Sequence, residues 1–191
     1  MATGVDGRWE PGIGDPTLGG WITVAAYFGA AFLAFRALRV HSSLARSGVS
    51  ADERSLANFW LLTSVLLLSL GINKQLDLQS WFTQIGRDVS VAQGWYGQRR
   101  SVQAVFVAAL GMMGLVGTAA LAISLRRVLA RLAGALTGLS FLVTFIAIRA
   151  ASFHHIDQWL KSGIVRLNWV LELGGIALVA LSAWRQYRHR T

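Results

Sequence analysis

The sequence predicts an all-α integral membrane protein of five transmembrane helices, with a short amphipathic helix lying in the interface after the second. Three observations carry this expectation. Only 14% of the 191 residues are charged and 54% are hydrophobic, whereas soluble domains carry about a quarter charged residues. Mean hydropathy is +0.49. The apolar residues also fall in blocks rather than at amphipathic spacing: Trp21 to Phe35, Phe59 to Ile72, Val102 to Leu125, Leu132 to Ile148 and Leu167 to Trp184. Each approaches or reaches the roughly 17–25 residues that cross a ~30 Å hydrocarbon core.

Taken in order, residues 1–20 form a polar, glycine-rich segment on the outer side, with no basic stretch followed by an apolar one that would mark a signal peptide. Within it, "EPGIGDPTLGG" holds both prolines of the chain, which favours a turn system that straps across the outer face. Spans are expected at about 21–38, 57–73, 102–125, 132–149 and 167–184. "HSSLARSGVSADERS" reads as a polar connection between the first two, with Ser50 and Glu53 spaced as a capping box. After the second span, Leu78, Trp81, Phe82 and Ile85 recur at helical spacing among polar residues, the pattern of an interfacial helix. Gly111, Gly114 and Gly117 lie in the third span, and "GALTG" (Gly134 to Gly138) in the fourth is a GxxxG. Small residues of this kind let helices approach closely in lipid, so this hairpin is expected at the centre of a compact bundle.

Charge sets the orientation. Sorting the loops alternately gives one side ten basic residues (Arg36, Arg39, Arg46, Arg54, Arg126, Arg127, Arg131, Arg185, Arg188 and Arg190) against Asp52 and Glu53. The other side has eight basic against seven acidic. The more basic side is expected in the cytoplasm, with the N-terminus outside and the C-terminus inside a bacterial inner membrane. The net charge of +9 is then an orienting and lipid-facing feature, and nucleic acid is not an expected partner. With no cysteine in the chain, disulfides, thiolate zinc sites, iron–sulfur clusters and cysteine nucleophiles are excluded.

On the predicted outer face, polar residues from separate parts of the chain converge, in a cap formed by residues 73–101 and 149–166. Glu172 is the most informative of them. A carboxylate at membrane depth costs on the order of 2.5–3.5 kcal/mol unless paired, so it should face the bundle. Asn73, Asp77, Arg149, Asn168 and Glu172 form the expected structural network, with Lys74 and Arg100 as further candidate cations. Read chemically, His154, Asp157 and Glu172 are candidate metal ligands, since His with two carboxylates can hold zinc and leave a water position open. The same three with Asp77 are the candidate acid/base set. His154 or His155 could ligate a porphyrin-type group, but the remaining histidines, His41 and His189, lie on the opposite side, so a bis-histidine haem is not expected. Arg99, Arg100 and Lys74 are candidate ligands for a lipid phosphate.

"WEPGIGDPT", "GINKQLDLQ", "AQGWYGQRR" and "SFHHID", spread between Trp9 and Asp157, resemble the motifs of a family of small multi-helix bacterial inner-membrane proteins. That family carries no established activity, so the resemblance implies a fold and a location but no chemistry or cofactor. Some look-alikes bear the label isopropylmalate isomerase, an iron–sulfur activity that a chain without cysteine cannot support. The expected function is a non-catalytic accessory subunit of a larger membrane complex, photosynthetic or respiratory, in contact with lipids and other integral membrane subunits. The alternatives are an outer-face enzyme dependent on a metal or a lipid, and a pigment- or haem-binding protein.

Overall fold

Four long helices dominate the computed structural model, which describes residues 13, 15–76, 84–86, 88, 89, 91–94, 112, 123, 125–151 and 164–188, with side chains up to 146 in the third long helix and from 169 in the fourth. They are α1 (Leu18–Arg46), α2 (Ala51–Leu76), α3 (Leu129–Ala151) and α4 (Ile164–Arg188). No strand occurs among the described residues. Three of the helices contain segments long and apolar enough to cross a membrane: Leu18–Arg46, Ala51–Leu76 and Leu129–Ile146. The other two expected spans differ in standing: α4 contains residues 167–184, whereas 102–125 lie almost wholly outside the described residues.

The helices run beyond the apolar blocks that announce them. α1 starts at Leu18 because Thr17 caps it, its Oγ1 accepting from the Gly20 amide at 3.1 Å. It continues past Ala37 through Arg39, His41 and Arg46, since nothing in that stretch breaks a helix before Gly48. The expected long polar connection therefore shrinks to residues 47–50, with Gly48 at φ +73° taking the left-handed position that glycine alone adopts without strain. At the start of α2, Ser50 Oγ accepts from the Asp52 amide at 3.1 Å, so the N-cap holds. The reciprocal half of the capping box does not form, because the Glu53 side chain turns into the bundle, 2% exposed. Where the interfacial helix is expected, the described residues are helical at 84–86, 88, 89, 91 and 92, and turn at Gln93 and Gly94.

α1 packs between α2 and α4, and α4 packs on α3. Contacts at matching heights make α1 and α2 antiparallel, α1 and α4 parallel, and α3 and α4 antiparallel. The core is built from stripes with helical spacing: Tyr27, Ala30, Ala34, Ala37 and His41 in α1, and Glu172, Ile176, Val179 and Ala183 in α4. In α2 the buried stripe repeats every seven residues as Glu53, Trp60 and Leu67, reaching the less exposed side of Lys74. The alanine seam of α1 lets the neighbouring helices approach, and each stripe carries a polar residue at one end at least, with half-buried Gln186 one turn beyond Ala183 in α4. This alternation of apolar middle and polar ends positions the two sites described next.

α3 and α4 approach most closely through glycine. A Cβ at Gly138 would meet the Gly175 carbonyl oxygen at 2.7 Å and Val179 at 2.9 Å, and one at Gly134 would meet Ser182 Oγ at 2.6 Å. The GxxxG of the sequence thus faces the following helix among the described residues, a backbone-to-backbone contact of the kind expected where small residues meet in lipid.

Candidate functional site

Two buried polar networks occupy opposite ends of the bundle. At the end where α1 begins and α2 finishes, Lys74 Nζ stands 3.0 Å from both Oε1 and Oε2 of Glu172. Tyr27 Oη donates to Glu172 Oε1 at 3.4 Å, and the ammonium lies 5.8 Å from the centroid of the Phe145 ring. The Lys74 and Glu172 side chains are 13% and 7% exposed. Each element contributes one group: α1 the phenol, α2 the ammonium, α4 the carboxylate and α3 the ring. A bifurcated ammonium–carboxylate contact supplies the counter-charge that a carboxylate at this depth requires.

Beside it, the segment before α1 is tied down. Asp15 N donates to Gln75 Oε1, and Gln75 Nε2 donates to the Asp15 carbonyl, both at 3.3 Å. Asp15 Oδ1 accepts from the Thr17 hydroxyl at 2.6 Å and from its amide at 3.2 Å. Gly20 makes room for this turn, since a Cβ there would lie 2.5 Å from Asp15. Of the segment expected to strap this face, residues 15–17 are described, and Asp15 is bonded to Gln75 in the last turn of α2.

At the opposite end the network is denser. His41 Nδ1 lies 2.5 Å from Glu53 Oε2, and Arg131 donates to Glu53 Oε1 at 3.2 Å. His41 Nε2 and Trp60 Nε1 approach Gln186 Oε1 at 2.8 Å and 3.0 Å, while Gln186 Nε2 donates to the Arg131 carbonyl at 2.7 Å. His41 and Trp60 are fully buried. The indole can only donate and the carbonyl can only accept, so these two partners fix which way the Gln186 amide points. Its oxygen therefore faces His41, which must carry a proton on Nε2. His41 Nδ1 and Glu53 Oε2 face one another across the remaining contact, with the Arg131 guanidinium on the other carboxylate oxygen.

The sequence does not single out this second network. His41 reads as one of two histidines away from the cap, Glu53 as part of a helix cap and Arg131 as one of ten basic residues on the more basic side, while Gln186 draws no reading. The signal that finds it is the seven-residue interval from Glu53 to Trp60 to Leu67 to Lys74, which places a charge at each end of one buried stripe.

Of the sequence-derived candidates, the structure brings Glu172 together with Lys74, the latter proposed as a phosphate ligand, and leaves Asn73 half-buried near the end of α2. Arg149 and Asn168 lie in α3 and α4, with side chains outside the described part. Asp77, Arg99, Arg100, His154, His155 and Asp157 lie outside the described residues. Among the described residues, no three His, Asp or Glu side chains gather in a way that could hold a metal ion.

Fold and site together define a helical protein with three helices fit to cross a membrane and a polar tie at each end of the bundle. Comparison of the chain with protein-family models, with curated proteins and with solved structures gives no match. The functional reading rests on the residues themselves.

Proposed function

We propose that this chain is a non-catalytic integral membrane protein that serves as an accessory subunit of a larger membrane assembly. The observation that carries this reading is how its buried charges are used. Glu172 has both oxygens on one ammonium, and Glu53 has one oxygen on His41 and the other on Arg131. A carboxylate held in this way is a counter-ion that fixes helix to helix rather than a base open to substrate. Such ties make a rigid scaffold whose outer faces remain apolar, with Phe28, Phe32, Leu62, Val143 and Leu181 all exposed.

The finer membrane reading is part of the same proposal: five spans in a bacterial inner membrane, with the N-terminus outside. Two features support the number of spans. α4 runs parallel to α1 from the level of Gly19 and Trp169 to that of His41 and Gln186, the length over which α1 is apolar enough to span. α2 ends and α3 begins at opposite ends of the bundle, as a further span at 102–125 between them requires.

Solubilisation in a mild detergent followed by native mass spectrometry and cross-linking tests the reading. The expected result is recovery of the chain with larger membrane proteins. Isolation as a stable monomer carrying a stoichiometric metal or pigment overturns it.

A further inference from the structure

An open groove of about 630 Å³ runs along α1 and α4 at the His41 end, outside both networks. Its volume falls within the ~300–1,000 Å³ of small-ligand sites. Phe32, Phe35 and Val40 supply an apolar wall, and Arg36, Arg39 and Tyr187 the polar end. Residues 32, 35, 36 and 39 share one face of α1 by helical spacing. The Arg36 guanidinium carbon lies 4.3 Å from the Tyr187 ring centroid and 5.7 Å from that of Phe32. Arg36 also donates to the Tyr187 hydroxyl. The guanidinium is therefore held in place, with donors to spare. Among the described residues neither Arg36 nor Arg39 has a carboxylate in ion-pair contact.

We propose that this groove binds an anionic phospholipid, its phosphodiester on Arg36 and Arg39 and an acyl chain along Phe28, Phe32 and Phe35. Charge complementarity selects the headgroup. Two guanidiniums match phosphate oxygens, and the same end also carries Arg46, Arg54, Arg126, Arg127, Arg185 and Arg188 against only Asp52 and Glu53 among the described residues. That excess disfavours a choline group. The apolar strip selects a lipid over a free phosphate. Phe28, Phe32 and Phe35 are 41%, 57% and 47% exposed on a helix apolar enough to lie in a bilayer, and an acyl chain covers them as an inorganic ion cannot. The site stands apart from the subunit reading, because it needs no protein partner.

The test uses the full chain, delipidated in detergent and titrated separately with phosphatidylglycerol, phosphatidylcholine and glycerol phosphate under native mass spectrometry. The expected result is retention of phosphatidylglycerol alone. In R36Q/R39Q that retention should weaken on the order of ten- to thirty-fold, while R126Q/R127Q, which removes two exposed arginines outside the groove, should leave it unchanged. Where the double variant does not fold, R39Q, at an exposed position, should still weaken retention about five-fold. Equal binding of the two phospholipids, displacement by glycerol phosphate, equal loss in R126Q/R127Q, or unchanged retention in R36Q/R39Q or R39Q overturns the proposal.

Discussion

Gln186 holds the His41 end together with three hydrogen bonds, to His41, Trp60 and Arg131. Replacing it with leucine strands the indole N–H of Trp60 and the imidazole N–H of His41, both on fully buried side chains, while the Arg131 carbonyl lies where water can reach it. Each unsatisfied group costs about 1–3 kcal/mol, so Gln186→Leu should lower stability by several kcal/mol, read as a large fall in the thermal unfolding midpoint in detergent. The orientation of its amide makes a second, spectroscopic prediction: nitrogen NMR of labelled histidine should find His41 Nε2 protonated. A His41 spectrum showing only an Nδ1 proton would contradict the geometry. Neither role is legible from local sequence. "AWRQYRHR" has the composition of a helix end at a membrane surface, and a glutamine there is indistinguishable from a solvated one until the α1 and α2 stripes are laid beside it. Glu172 was legible, because a lone carboxylate within an apolar run must find a partner. Its partner is the nearby Lys74, one of several cations that sequence alone leaves open.

Between elements, contact depends on what a helix lacks. Gly138 and Gly175 meet backbone to backbone, so Gly138→Ala forces a methyl group to within 2.7 Å of a carbonyl oxygen. Overpacking of this kind costs about 1–3 kcal/mol. Gly29 is the control, since a Cβ there meets nothing within 4 Å. Gly29→Ala should be neutral or stabilising by up to about 1 kcal/mol. Paired thermal melts of the two variants check the contrast, and an equal loss in both would show that α3 and α4 do not pack through Gly138. The GxxxG was visible in the sequence as a close-packing signal, but not its partner. Adjacent glycines at 174 and 175 follow Glu172 too closely to look like a packing face. The helices extend past the apolar blocks for a related reason: hydropathy marks an apolar length, whereas capping by Thr17 and Ser50 and the turn at Gly48 set where the helices start and stop.

For the molecule as a whole, the two networks are separated along α1 and α4 by fourteen residues, Tyr27 to His41 and Glu172 to Gln186, or about 21 Å of helix rise. That is less than the ~30 Å hydrocarbon thickness, so charges at both levels need partners within the protein. Lys74→Met alone should destabilise by about 3–5 kcal/mol, because it leaves Glu172 buried and unpaired, whereas Lys74→Met with Glu172→Leu should come close to the parent. A double-mutant cycle on unfolding in detergent measures the difference, and a double variant as damaged as the single one would contradict the pairing. The pairing also sets a schedule for biosynthesis. Lys74 precedes Glu172 by 98 residues, which at about 5–20 residues per second is roughly 5–20 s of translation. His41 waits longer still, with Gln186 another 145 residues on. During that interval the first hairpin lacks the Glu172 carboxylate, which is the partner of the Lys74 ammonium among the described residues. A ribosome that stops before α4 releases a chain whose first half is intact yet electrically incomplete, and pulse-chase labelling should find that product degraded faster than the full chain.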